Sequence, residues 1–278
     1  GKEPDFTQIK DLVSDDNAAG DMFGVSVSID NNYIVVGAHG NDDDGSHSGS
    51  LYIFGKNDGG TNNWGQIKKI TADDGSENKN FGREVYINGN YILASAMNDN
   101  TLASNSGAVY IFNKDEGGVD NWGQLKKLLP TDNDLSDNYF FGKSINMYGD
   151  YIIVGATMTN KTGGILIFKK DYDPLTPNDI SSNAWGQLKR LTVDSNTYSS
   201  SQLGVDIAMT ENYIFGSSRV GGVRVSTMSL LYIFILINFV QIKIIFVYIF
   251  ISLISLYNFT ILLILISNKP GDFRYSNK

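Results

Sequence analysis

Short runs of β-branched and aromatic residues alternate with clusters of Gly, Asn, Asp and Ser from residue 6 to about residue 225. Runs bounded in this way by turn formers read as strands. In Val25-Ser26-Val27-Ser28-Ile29 every second residue is apolar, the pattern of a strand with one face in a core. Tyr33-Ile34-Val35-Val36-Gly37-Ala38 is apolar nearly throughout, which predicts a strand covered on both faces. This region keeps no helical period, so the pattern predicts an all-β fold.

The runs recur in register. Phe23-Gly24 returns as Phe81-Gly82, Phe141-Gly142 and Leu203-Gly204, at steps of 58, 60 and 62 residues. The segment that begins at Tyr33 returns at Tyr91, Tyr151 and Tyr213, and Gly49-Ser50-Leu51-Tyr52-Ile53-Phe54 returns from Gly107, Gly163 and, worn, from Gly221. A fourth column, Trp64-Gly65-Gln66-Ile67-Lys68-Lys69-Ile70, repeats from Trp122 and Trp185. Self-similarity at a fixed period is the mark of a repeat architecture. Four antiparallel strands per repeat of about 60 residues, with no helix between them, describe propeller blades. Gly37-Ala38 ends the second strand with small side chains, as a place where neighbouring blades crowd together requires.

Phe6-Thr7-Gln8-Ile9-Lys10-Asp11-Leu12 lies 58 residues before the Trp64 column, so the chain opens on the fourth strand of a repeat. The expected architecture is a propeller of three complete blades and a split fourth. Repeats fall near residues 13–70, 71–128, 129–191 and 192–226, within a domain spanning 1–226. Two arrangements of the split blade remain open. Residues 6–12 could join the strands around 204–225 and close a four-bladed ring, which removes exposed sheet edges; or the blades form part of a larger propeller.

At these columns the chain resembles the FG-GAP repeat family, whose integrin-α-like members form β-propellers. The Trp-x-Gln-x-x-Lys strand followed by an acidic loop is similar to the calcium-loop-poor class of that repeat. The resemblance implies seven blades as the usual number, extracellular adhesion as the setting, and binding of a protein or glycan ligand through loops on one face. Because one architecture hosts many activities, the resemblance is specific for fold and much less so for function. The rival expectations are an accessory propeller of a larger enzyme such as a hydrolase, and a truncated or mis-predicted gene product.

The resemblance also implies where a calcium loop would stand, just before the Gly-Ala position. Here that place holds only Asp30-Asn31-Asn32, Asn88-Gly89-Asn90 and Tyr148-Gly149-Asp150, too short to wrap a cation that needs six to eight oxygens. The family's calcium residues do not carry over, and no cofactor is expected. Asp42, Asp43 and Asp44, flanked by His39 and His47, form the densest acidic run and are the weak metal candidates; their alternative is a solvated turn. An acidic residue also recurs seven positions before Phe-Gly, as Asp16, Asp74 and Asp134, with Asn196 in the fourth copy; an Asx turn accounts for it. The Trp column reads as blade packing. Lys68-Lys69, Lys126-Lys127 and Lys189-Arg190 read as outer-strand edges, where lysine discourages pairing between sheets. With no cysteine and only two histidines, eight residues apart, no nucleophile-base pair can be named, so no enzyme is expected. Asn160-Lys161-Thr162 is a glycosylation acceptor motif.

A formal charge of −8 speaks against nucleic acid as a partner, because phosphate binding rests on Lys and Arg. Residues 227–268 differ sharply from the rest. Residues 244–268 carry no charge, and about 20 apolar residues cross a bilayer, which predicts a transmembrane helix before a polar tail at 269–278. A single-pass membrane protein with an extracellular propeller follows, or else a secreted one. The other reading of this segment is translated intron or a frameshift near Val225, since it lacks Gly and Ala from residue 227 to 268 and is rich in Ile, Phe, Tyr and Asn.

Overall fold

The computed structural model describes residues 7–131, 137–158, 163–172, 184–192, 202–218 and 223–227, which fall within one compact unit, Gly1–Thr227. Each repeat folds into its own antiparallel sheet with the strands side by side in chain order. The first blade is β1 (Ser26–Asp30), β2 (Tyr33–Ala38), β3 (Ser50–Gly55) and β4 (Gly65–Ile70). The second is β5 (Phe81–Asn88), β6 (Tyr91–Ala96), β7 (Ala108–Asn113) and β8 (Gly123–Leu128), and the third is β9 (Phe141–Tyr148), β10 (Tyr151–Ala156), β11 (Gly164–Lys170) and β12 (Trp185–Leu191). A fourth sheet has three strands, β13 (Ile207–Met209), β14 (Tyr213–Ser217) and β15 (Val223–Thr227). The fold is all-β, and the blades stack in sequence order with the first strand of each against the preceding blade.

The β3–β4 register carries the same irregularity in all three complete blades, skipping Ile67, Leu125 and Leu188. An extra residue at a fixed place pins the register and twists the outer strand. The recurring Phe-Gly has an equally local cause. Gly24, Gly82, Gly142 and Gly204 all take φ between 79° and 95°, a region that L side chains avoid, where the chain turns into the first strand. The neighbouring Phe then fills the blade interface: Phe81 meets Tyr110 and Phe112 edge to face at 5.3 and 5.9 Å.

Coupling between blades is partly backbone. Phe81 N donates to Ser48 O and Phe141 N to Ser106 O, both at 3.0 Å, tying the end of each β2–β3-type loop to the Phe-Gly of the next blade. A methyl group on Gly37 would stand 2.0 Å from Gly82 O, which is why the second strand ends in small residues. Trp122 and Trp185 are buried and lie edge to face on Tyr33 and Tyr91 of the preceding blade, at 5.2 and 5.9 Å.

The alternation in β1 has a cause other than a one-sided core. Its polar side faces the second blade, where Ser26 Oγ, Ser28 Oγ and Asp30 Oδ2 accept from the backbone N–H of Val85, Ile87 and Gly89 at 3.0, 3.1 and 2.5 Å. Side-chain oxygens thus satisfy donors along the open edge of β5. The apolar side of β1 faces outward. Val27 and Ile29 are 65% and 63% exposed, whereas Val85 and Ile87, one repeat later, are 5% and 3% exposed. Among the described residues no blade stands against Val27 and Ile29.

Within the expected outer strand at residues 6–12, residues 7–12 pair with no strand, and β15 pairs only with β14 among the described residues. Among the described residues the sheet of β13, β14 and β15 makes no strand pair with residues 7–12 or with the first blade. Among them no helix is long and apolar enough to cross a membrane. The candidate span 244–268, Asn160, Asp134 and Asn196 lie outside the described residues.

Candidate functional site

The connections from β2 to β3 and from β6 to β7, residues 39–49 and 97–107, lie beside the turns that lead out of the fourth strands. The two loops share a frame. Asn41 and Asp99 are buried at matching positions, and their carbonyl oxygens accept from Gly49 N and Gly107 N at 2.9 Å and from Ser48 Oγ and Ser106 Oγ at 3.1 Å. Asp42 Oδ1 accepts from His47 N at 2.7 Å, as Asn100 Oδ1 accepts from Asn105 N at 2.7 Å. Asp42 is therefore an internal loop acceptor, a task that an uncharged amide performs equally well one blade later. Between the fixed points the sequences share only the serine at Ser46 and Ser104: Asp42-Asp43-Asp44-Gly45-Ser46-His47 against Asn100-Thr101-Leu102-Ala103-Ser104-Asn105.

Ion pairs bind these loops to the strands. Lys127 Nζ meets Asp74 at 2.7 Å, Asp99 at 2.8 Å and Thr101 Oγ1 at 2.7 Å. Lys79 approaches the same two carboxylates at 2.9 and 3.2 Å, and Tyr110 OH donates to Asp74 at 2.7 Å. In the first blade Lys69 holds Asp16 at 2.5 Å and also pairs with Asp43. Lys69 and Lys127 sit over the rings of Tyr52 and Tyr110, at 5.4 and 5.3 Å from their centroids. These lysines tie down loops; they do not stand as edge guards. Asp16 and Asp74 act as their counter-ions, which replaces the Asx-turn expectation. Co-recurrence of opposite charges at one step of 58 residues (Asp16 with Asp74, Lys69 with Lys127) was the signal for this network.

Electrostatics follow from that geometry. Burial opposes ionisation of Asp74 and Asp99, but hydrogen bonds from Lys127, with Lys79 and Tyr110 on Asp74 and Thr101 on Asp99, outweigh it and hold both below the usual carboxylate range. Burial and the adjacent carboxylates push the Tyr110 phenol far up, and burial with Asp16 alongside raises Tyr52 to about 12. His39 is buried with Nε2 2.9 Å from Arg83 Nη1; burial and the guanidinium lower its pKa and keep it neutral.

The acidic run does not converge. Asp42 turns to His47 N, Asp43 to Lys69, and the backbone N–H of Asp44 donates to Ser48 Oγ at 3.1 Å. Among the described residues no group of three or more His, Asp or Glu side chains is placed to hold a metal ion. The arrangement does what a rigid loop platform does: it fixes two exposed loops of unlike sequence on one repeated frame.

A search of the curated proteins finds no match. Among solved structures, the crystal structure of the computationally designed Ika4 protein is similar at 14% identity and a TM-score of 0.46, covering 80% of this chain and 100% of that one. The FG-GAP repeat family matches three times, over residues 6–54, 64–112 and 122–166. Each match begins at or near a fourth-strand column and runs through the third strand of the next blade, so the unit of recurrence includes the blade-to-blade contact. Together the matches take in just over half of the chain, and on that ground the chain belongs to the FG-GAP repeat family.

Proposed function

We propose that the chain is a non-catalytic binding module that presents its β2–β3 and β6–β7 loops to a protein or glycan ligand, in a cell-surface or secreted setting. One observation carries the reading: a buried polar frame that is the same in both loops supports tips that share almost no sequence. Rigid scaffolds with variable loops are how binding surfaces are commonly built, because the scaffold bears the ordering cost and the tips bear the specificity. The charged side chains behind the tips are engaged in holding the frame, which leaves recognition to Asp44, Ser46, Leu102 and their neighbours.

The test is a loop exchange. The full chain is immobilised and screened against extracellular glycans and receptor ectodomains, beside a chimera that carries the sequence of residues 100–105 at positions 42–47. Both loops close on the same hydrogen bonds, so the chimera keeps its melting temperature while the captured ligand is lost. A chimera that binds as the parent does places recognition elsewhere and overturns the reading.

A further inference from the structure

The first strands of the sheets, β1, β5, β9 and β13, pack side by side, and each is entered through Phe-Gly or Leu-Gly. The residue after that glycine is Val25, Arg83, Lys143 and Val205 in turn, so the fold itself asks for no charge there. In the second and third blades the ladder breaks at this residue. The β5–β6 register passes from Phe81 opposite Ala96 to Val85 opposite Ala94, and the β9–β10 register from Phe141 opposite Ala156 to Ser144 opposite Gly155. Arg83 and Lys143 therefore stand outside the ladder in bulges, and a bulge re-aims the side chain it carries. Glu84 N donates to Ser95 Oγ at 3.0 Å, which holds the first of these bulges in place.

Both cations are half-buried, and neither makes an ion pair among the described residues, in a chain with 30 acidic side chains against 22 basic ones. Arg83 Nη1 donates to His39 Nε2 at 2.9 Å. A guanidinium only donates, so the imidazole accepts as a neutral ring and leaves the charge of Arg83 uncompensated. His39 is the first residue of the β2–β3 connection, which puts Arg83 at the root of that loop; Lys143 holds the matching position relative to the β6–β7 connection. The two cations act on one carboxyl. Burial pushes Glu84 up against the pull of Lys143 and Arg83, Asp206 adds to the rise, and the Glu84 carboxyl itself bonds Ser26.

We propose that Arg83 and Lys143 together bind the carboxylate of a sugar acid that ends a glycan, at the roots of the β2–β3 and β6–β7 loops; the proposal rests on the loop-binding reading above. The guanidinium offers a planar fork and the ammonium a point charge to the same carboxylate. Glu84 and Asp206 repel a second negative charge and offer acceptors to hydroxyl groups, so the ligand carries one acid among neutral hydroxyls. A polyanion or an acidic peptide meets that repulsion and the overall charge of −8.

The full chain is titrated with oligosaccharides that end in one uronic or one sialic acid, each beside its methyl ester, and with hexa-aspartate and dextran sulfate as polyanions. The acid-capped sugars bind roughly tenfold tighter than their esters, because the ester forfeits the charge-assisted bonds. Arg83→Gln keeps an N–H for His39, and Lys143→Val restores the residue of the first and fourth copies; each weakens binding about tenfold at an unchanged melting temperature. Lys126→Gln, on the outer strand β8, changes binding less than about twofold. The chain has two histidines, and the imidazole NMR signals of His39 shift with the acid-capped sugar and not with its ester. Equal affinity for acid and ester, losses no larger than that of Lys126→Gln, an unmoved His39, or a preference for either polyanion overturns the proposal. The loop-binding reading then stands as long as the loop exchange still abolishes capture, and capture that survives the exchange overturns that reading separately.

Discussion

The leading faces of the first and second blades carry almost the same residues and meet opposite fates. Phe23, Val27, Ile29 and Ile34 correspond one repeat later to Phe81, Val85, Ile87 and Ile92, yet the second set is buried while Val27 and Ile29 stand in solvent. The difference teaches that burial here is a property of a pair of blades. In a stack of repeats each unit contributes its own sheet, and its apolar faces count only when a neighbour covers them.

Aspartate scanning across this pair is the strongest way to break the comparison. Val85→Asp places a charge in a sealed interface without a partner and should cost about 3–5 kcal/mol, read as a collapse of the denaturant midpoint. Val27→Asp, at the matching exposed position, should change the stability of a single chain by no more than about 0.5 kcal/mol. Equal losses at the two sites would mean that the first blade's face is covered in solution.

The ion-pair networks offer a second contrast. Removing the cation with Lys127→Met leaves the fully buried Asp99 carboxylate short of its main partner and should cost about 2–4 kcal/mol. Lys69→Met should cost less than about 1 kcal/mol, because its partners Asp16 and Asp43 are 44% and 51% exposed and rehydrate freely. Paired chemical denaturation curves decide it.

Acid sharpens the same contrast. Asp74 and Asp99 have folded-state pKa values depressed below their ordinary 3.8. Their contribution to stability is therefore fully present above that value and is lost as the pH falls below it, through the depressed folded values. Asp99→Asn gives the second blade the residue type that the first carries as Asn41, so its melting temperature should decline less steeply between pH 4 and pH 2 than that of the parent. An identical slope would show that Asp99 is not an ionised partner of Lys127.

A modest effect is expected in the polar seam. Ser26→Ala and Ser28→Ala each remove an acceptor from a backbone N–H on β5, at a cost of about 1 kcal/mol apiece. Amide exchange at Val85 and Ile87 should accelerate in these variants, and unchanged exchange would mean that water replaces the hydroxyls without loss.

Much of this was legible in the residues. Gly37 announced a close approach and the Trp column a packing site, because each depends on side-chain size. The candidate site was legible only in fragments. The lysine column and the acidic column were both visible, but their pairing was not, since they are brought together by strand register and by the turn between blades. Asp42, Asp43 and Asp44 read as one acidic run because they are adjacent in sequence; the fold sends them to three different partners.

The amino-acid sequence by itself determined the repeat, the strands within it and the small residues at the crowded positions, since short-range sterics and hydrophobic periodicity act within a few residues. Only the tertiary structure decided which apolar faces are cores and which lysines are counter-ions. Identical motifs acquire different environments according to whether a neighbouring blade stands beside them, and Val27 and Ile29 against Val85 and Ile87 show that difference directly.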